Sequence, residues 1–375
     1  MKIITKNTYS LNPYIGFKRK KINDTLIKNK KHIRSFLFIM VCFSFLTCGI
    51  FQGEKKSNFS HLITGVHSEE FQNLLKVTAI APLLEARIAN QGNVNYIKTL
   101  NGYLQRFWVR NAGVERWKLP DDEAFLREYE KKIKEEYKRN NLTEIPKIAS
   151  NQELIRAIKK TKIWDEVSPE KENSFDAALV LGASFYSFKM RLEYLLKLIR
   201  ERDIKLKTIY FLSGDRPLDV AIEKKIMEEM DLAGIKDKTE NTMMRYVFEK
   251  TFPETLKRNY NIVFINTPDQ EIGFNKFRRA NTKDTLVEFL KKASPEEKHL
   301  LIISNAPFIA YQGEIVRNTL VNGYISFLTG PSFEKKEVKE LSSYKGNEKF
   351  LSVALDSIAR VIYMMNENDV YSYPN

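Results

Sequence analysis

The chain has 375 residues, enough for one large domain or for a core domain with a smaller helical partner. Its 43% hydrophobic and 29% charged content is that of a globular protein and excludes disorder over most of the length. The net charge of +14 invites a nucleic-acid partner. However, residues 1–34 hold ten Lys or Arg against the single acid Asp24, leaving +5 for the rest of the chain. No basic stripe with interleaved aromatics remains in the body, which argues against nucleic acid. Both cysteines, Cys42 and Cys48, lie in the first apolar segment, so the body has neither a disulfide framework nor a thiolate metal site. The histidines at 32, 61, 67 and 299 form no i, i+4 pair, and no metal site is expected.

The tail ends in Lys28-Asn29-Lys30-Lys31-His32-Ile33-Arg34 and runs into the largely apolar stretch Phe36 to Phe51. A charged flank, an apolar run of this length and small residues after it form a signal-peptide pattern. The run falls just short of a comfortable spanning helix. Leu46-Thr47-Cys48-Gly49 resembles a bacterial lipobox, with Phe45 and Thr47 departing from the usual residues, and makes Cys48 the lipidation candidate. An uncleaved membrane anchor is the other reading. Residues 1–51 are therefore expected to meet a membrane through 36–51 and to leave the body outside the cytoplasm, at the cell envelope.

Residues 52–67 read as a linker, polar from Gly53 to Ser60, and residues 68–170 as a helical module. Glu69 and Glu70 suit a first turn, and Phe71, Leu74, Leu75 and Thr78 follow at helical spacing. Ile97, Leu100, Leu104 and Phe107 continue the pattern. Pro120-Asp121-Asp122-Glu123 opens another helix, in which Phe125, Tyr129, Ile133 and Tyr137 recur every four residues as a core stripe. Trp108 and Trp117 read as packing residues.

From residue 171 onward the pattern changes to α/β. Apolar runs end in small polar clusters: Ala177 to Leu181 at Gly182-Ala183-Ser184, Thr208 to Leu212 at Ser213-Gly214-Asp215-Arg216, Asn261 to Ile265 at Asn266-Thr267-Pro268. His299 to Ile303 ends at Ser304-Asn305, and Tyr324 to Leu328 is closed by Gly330-Pro331. Helical patterns lie between them at Phe188 to Ile204, Asp219 to Met230, Met243 to Phe248, Thr282 to Leu290 and Tyr311 to Leu320. A last helix falls within Glu348 to Met365. In the first of these, Arg191 and Glu193 are expected outward and Tyr194, Leu195, Leu198 and Ile199 inward. Strands alternating with helices imply βαβ units. The expected fold is an α/β, Rossmann-like parallel sheet flanked by helices and preceded by a helical module.

Ligands of such folds bind outside the carboxyl ends of the strands, so the polar clusters supply the candidate site. Gly182 and Ser184 offer backbone N–H groups and a hydroxyl at a helix start, suited to an anion, or a tight turn capped by Ser184. No GxGxxG and no P-loop lysine is present. Asp215 and Arg216 could hold a polar ligand or pair with each other. Asn281, Thr282 and Asp284 open a helix, where Asn and Thr cap in any case. Arg278 and Arg279 just before them could grip a phosphate or carboxylate, or be a solvated pair. Ser304 and Asn305 either cap a helix or contact a ligand. Ser213 lacks nucleophile-elbow spacing, and no catalytic set can be named.

The order LxLGxS, a strand ending in Ser-Gly, NTxDT, and a hydrophobic strand ending in Ser resembles the bacterial SanA/YdcF/ElyC-like family. The resemblance covers Asp176 to Gly330. It implies a Rossmann-like domain in an envelope-linked protein whose activity is largely undefined. Asp215 stands where the family has a second glycine, and Asp284-Thr285 where it has Glu-Asn. Asn305-Ala306-Pro307 follows Ser304, and the family's histidine is missing.

The expected function is an envelope-associated protein binding a small polar or anionic ligand in a strand-end crevice, with action on cell-envelope precursors as an extension. Two alternatives stand beside it. One is a non-enzymatic envelope scaffold or interaction protein, and the other a cytosolic nucleotide- or S-adenosylmethionine-binding protein. No cofactor is indicated.

Overall fold

The computed structural model describes residues 68–91, 95–109, 121–169, 172–321, 323–332 and 350–372. The basic tail, the apolar segment with Cys48, the 52–67 linker and Trp117 lie outside the described residues. All the described residues belong to one compact unit within 56–375.

Five helices come first: α1 (Glu69–Val77), α2 (Ala81–Gln91), α3 (Tyr96–Phe107), α4 (Asp122–Arg139) and α5 (Asn151–Lys160). Their starts follow local chemistry. Ser68, Asn95 and Asp121 each accept a backbone N–H through the side chain, and Ser150 with Glu153 forms a capping box. The four-residue stripe of α4 faces inward: Tyr129, Ile133 and Tyr137 are buried and Phe125 half-buried. The Tyr129 and Tyr137 hydroxyls donate to the carbonyls of Thr78 (2.5 Å) and Ala79 (3.0 Å), so each ring packs while its polar tip closes the turn after α1.

The α/β part contains β1 (Ala177–Leu181), α6 (Phe185–Glu201), β2 (Thr208–Gly214), α7 (Val220–Leu232), α8 (Glu240–Thr251) and α9 (Glu254–Lys257). It continues with β3 (Asn261–Thr267), the hairpin strands β4 (Gln270–Gly273) and β5 (Lys276–Arg278), α10 (Thr282–Lys292), β6 (His299–Ile303), α11 (Ile309–Thr319) and β7 (Ile325–Thr329). The main sheet has the order β3-β2-β1-β6-β7 with every neighbour parallel, a Rossmann-like arrangement. Alternate strand residues face opposite layers. Ala178, Val180, Ile209, Phe211, Leu301 and Ile303 pack under α6, α7 and α8, whereas Leu179, Leu181, Tyr210, Leu212, Leu300 and Ile302 pack under α10 and α11. Both faces are covered, which is why the central strands read as unbroken apolar runs.

Two features differ from the pattern in the sequence. The stretch before α10 is a two-stranded antiparallel hairpin, β4–β5, whose strands are too short and too exposed to show a strand period. The last helix, α12 (Phe350–Ser372), returns to the helical module: Leu351, Leu355, Ile358 and Ile362 join its core, and Phe350 stacks on Trp164 at 4.2 Å. Asp122, in the first turn of α4, accepts the N–H groups of Leu351 (2.8 Å) and Ser352 (3.3 Å) at the start of α12. Among the described residues no helix is long and apolar enough to cross a membrane.

Candidate functional site at the carboxyl edge of the sheet

The sheet order reverses direction between β1 and β6, and the crevice of such folds opens at that switch point. Here Arg191 of α6 fills the gap. Its side chain is 1% exposed, and its guanidinium donates to the carbonyls of Leu181 (2.7 Å) and Gly182 (2.9 Å), to Asn305 Oδ1 (2.8 Å) and to Gln312 Oε1 (3.2 Å). The outward placement expected for Arg191 is therefore corrected. The strand-end carbonyls of β1 point their lone pairs at this spot, and a fork of five N–H donors satisfies several acceptors at once.

Gln312, on α11, extends the network. It accepts the Ser304 hydroxyl and donates through Nε2 to the Thr282 hydroxyl at 3.3 Å. Ser304 and Asn305 are fully buried, and Asn305 also donates to the Ala306 carbonyl. A side chain on Gly330 would overlap the Ser304 carbonyl, which explains the glycine there. Residues from β1, α6, β6, α10 and α11 are thereby tied into one hydrogen-bonded set.

A second buried arginine lies beside the β1–α6 turn. Arg216 is 3% exposed, grips Glu223 of α7 with two N–H groups at 2.7 Å each, and donates Nε–H to Glu240 of α8 at 2.5 Å. Two carboxylates face one guanidinium. Burial pushes the Glu240 carboxyl above the usual range despite the pull of Arg216. Burial disfavours the Arg216 charge, but the bonds and charges of the two glutamates outweigh that and hold it protonated.

Glu223 also accepts the Phe185 N–H at 3.1 Å, so its carboxylate takes the place at the amino end of α6 that a ligand anion could fill. Ser184 is the N-cap residue by backbone geometry, but its hydroxyl makes no capping bond. A side chain on Gly182 would overlap both the Glu240 carboxylate and the Leu212 carbonyl. Its glycine serves close packing of the ion cluster.

The remaining candidates divide between core and rim. Ser213 is buried, donates to the Ile265 carbonyl (3.2 Å) and accepts from Asn241 Nδ2 (2.8 Å). Asp215 is exposed and accepts from Asn266 Nδ2 at 3.0 Å. It does not pair with Arg216. Asn281 caps α10, accepting the N–H groups of Lys283 (2.8 Å) and Asp284 (3.2 Å), while Asp284 accepts the Asn281 N–H. Arg278 holds Asp284 bidentately at 2.6 and 2.9 Å, which fastens the hairpin base to α10. Partial burial pushes the Asp284 carboxyl up, but the bonds from Arg278 and the Asn281 N–H hold it below the usual carboxylate range.

Gly182, Ser213, Thr282, Ser304 and Asn305 are thus drawn together through Arg191, Gln312 and close backbone packing, and Arg216 adjoins them through the Ala183 carbonyl at 3.4 Å. Ser184, Asp215, Asn281 and Asp284 form the accessible rim. Arg191, Glu223 and Gln312 are not singled out by motif or spacing, although a signal exists. Each sits on the apolar stripe of its own helix: Phe188-Arg191-Leu195, Glu223-Ile226-Met230 and Ile309-Gln312-Val316 at i, i+3 or i+4 steps. A polar residue on a buried stripe must find partners.

Among the described residues no group of three or more His, Cys, Asp or Glu is arranged to hold a metal ion. The fold and this edge define a Rossmann-like α/β protein whose strand ends are packed with buried, hydrogen-bonded polar and charged side chains. Comparison with family models and with curated proteins gives no match.

Proposed function

We propose that this chain is an envelope-associated protein that binds a small polar or anionic ligand at the carboxyl edge of its sheet. The observation that supports it best is the concentration of polar residues at that edge. Two buried arginines, two buried glutamates and a chain of Ser, Asn, Gln and Thr side chains sit there, above the apolar, buried runs Ala177–Leu181 of β1 and 300–303 of β6. Buried ion clusters are weak sources of stability, and their clustering at the ligand edge of the fold is the mark of a functional site. The contacts offered to a ligand are those of the rim, Ser184, Asp215, Asn281 and Asp284, with the exposed Arg279 beside them. The arginines behind them supply orientation and field. The resemblance to the SanA/YdcF/ElyC-like family, together with the apolar segment 36–51 and Cys48, supports location at a membrane, with action on envelope precursors as the extension.

The test is an unbiased metabolite-binding screen on the full chain, followed by Asp215→Asn, Arg279→Ala and Asn281→Ala. Loss of binding of a recovered metabolite is the expected outcome, with the thermal midpoint unchanged for Asp215→Asn and Arg279→Ala and lowered for Asn281→Ala by loss of the α10 cap. Retention of binding in all three sinks the reading. The scaffold alternative is favoured by one observation, the internal pairing of Arg216 with Glu223 and Glu240. It gains if the screen recovers nothing and all three variants retain their cellular role.

A further inference from the structure

The hairpin β4–β5 leaves the carboxyl edge between β3 and α10 and exposes three large apolar side chains within six residues. Ile272 is 60%, Phe274 92% and Phe277 63% exposed. Asn275 at its turn has φ of 55°, a left-handed conformation that asparagine tolerates, so the two strands reverse tightly and hold the apolar tip out. Below the tip, Glu271 pairs with Phe277 and Gln270 with Arg278, and the Arg278–Asp284 bridge fixes the base. Beyond the Glu271–Phe277 pair the only charge is Lys276. Around the base, Arg279 and Lys283 are exposed against Asp269 and Glu271, with Arg278 and Asp284 neutralising each other.

We propose that this hairpin docks on an anionic lipid surface, its Ile272, Phe274 and Phe277 side chains entering the headgroup boundary and Lys276 meeting lipid phosphates. This rests on the reading that the chain is held at a membrane. Two arguments select lipid over a protein partner. The three side chains offer roughly 400 Å², about half of what one partner gives to a standard protein interface. A lipid boundary sets no such minimum and rewards aromatic rings beside a cation. Entry is shallow, because the short hairpin has open backbone edges that hydrocarbon would not tolerate. Docking would bring the rim residues Asp215, Asn281 and Arg279, at the same edge of the sheet, to the lipid headgroups.

The test uses the full chain with Phe274→Trp, and separately Leu232→Trp as a control at a site 91% exposed at the end of α7. Each is mixed with phosphatidylcholine–phosphatidylglycerol vesicles whose acyl chains are brominated near the glycerol. The expected result is co-flotation with vesicles, with a blue shift and quenching of the added emission at 274 and neither at 232. Co-flotation without quenching at 274, or with equal quenching at both sites, overturns the hairpin proposal and leaves membrane location standing. Failure to co-float overturns both. A blue shift at 274 that grows with protein concentration in the absence of vesicles identifies a second copy of the chain as the occupant and also overturns it.

Discussion

The start of α4 and the carboxyl edge of the sheet both bury acids, and they handle them differently. At the edge, Glu223 and Glu240 share the Arg216 guanidinium. In the helical module, Asp122 is 2% exposed and holds the start of α12 through Oδ1 alone, while Oδ2 has no hydrogen-bond partner. Burial pushes its carboxyl up to about 7, against the lowering effect of the N–H groups of Ser352 and Leu351. A buried carboxylate that faces a cation has the cost of burial opposed by that charge, whereas one with only backbone dipoles is pushed toward its protonated form. The first arrangement ties α7 and α8 to one side chain. The second makes the docking of α12 depend on pH.

The contrast can be broken most severely at Arg216. Replacing it by methionine leaves two carboxylates buried without their cation and should cost about 3–5 kcal/mol, read from urea unfolding at pH 7. The loss should shrink at pH 5, where the stranded acids are more readily protonated.

At Asp122 the sign is opposite to that of an ordinary paired acid. Its folded value, about 7, lies above the ordinary 3.8. It therefore contributes stability that is full below about pH 4, declines between pH 4 and 7, and is lost above 7. Asp122→Asn keeps the acceptor for the α12 N–H groups but cannot ionise. The difference between parent and variant should change by about 2–4 kcal/mol across that window. A parallel pair of stability curves would remove the titration.

Gly182→Ala sharpens the comparison more gently. The added methyl overlaps the Glu240 carboxylate and the Leu212 carbonyl, and a cost of about 1–3 kcal/mol is expected from overpacking. The smallest effect on stability belongs to the rim. Asp215→Asn should stay within about 0.5 kcal/mol of the parent, since its carboxylate is exposed and bonded to the Asn266 side chain at the surface.

Much of this edge is legible before folding is considered. Apolar runs ending at Gly182 and Ser304 mark the ends of β1 and β6 because a strand buried on both faces is apolar until it leaves the sheet, whereas β2 continues past its apolar run through Ser213 to Gly214. The Asn281–Asp284 cap follows equally directly, since its partners lie three residues apart. The hairpin 270–278 is not legible, because its strands lack a buried face and so lack a period. Arg191 is misplaced by the pattern because an arginine in a helix is ordinarily solvated. Only its position on the Phe188–Leu195 stripe says otherwise.

The sequence by itself therefore determined the alternation of strands and helices, the helix caps, the core stripe of α4 and the edge at which polar groups gather. These follow from periodicities and from hydrogen bonds between near neighbours. Tertiary structure decided which of those polar groups face solvent and which are consumed inside. Arg191 meets Asn305 across 114 residues and Asp122 meets Leu351 across 229. Local spacing carries no information about such pairs. Their partners are chosen when the layers pack and every buried donor and acceptor has to be satisfied at once.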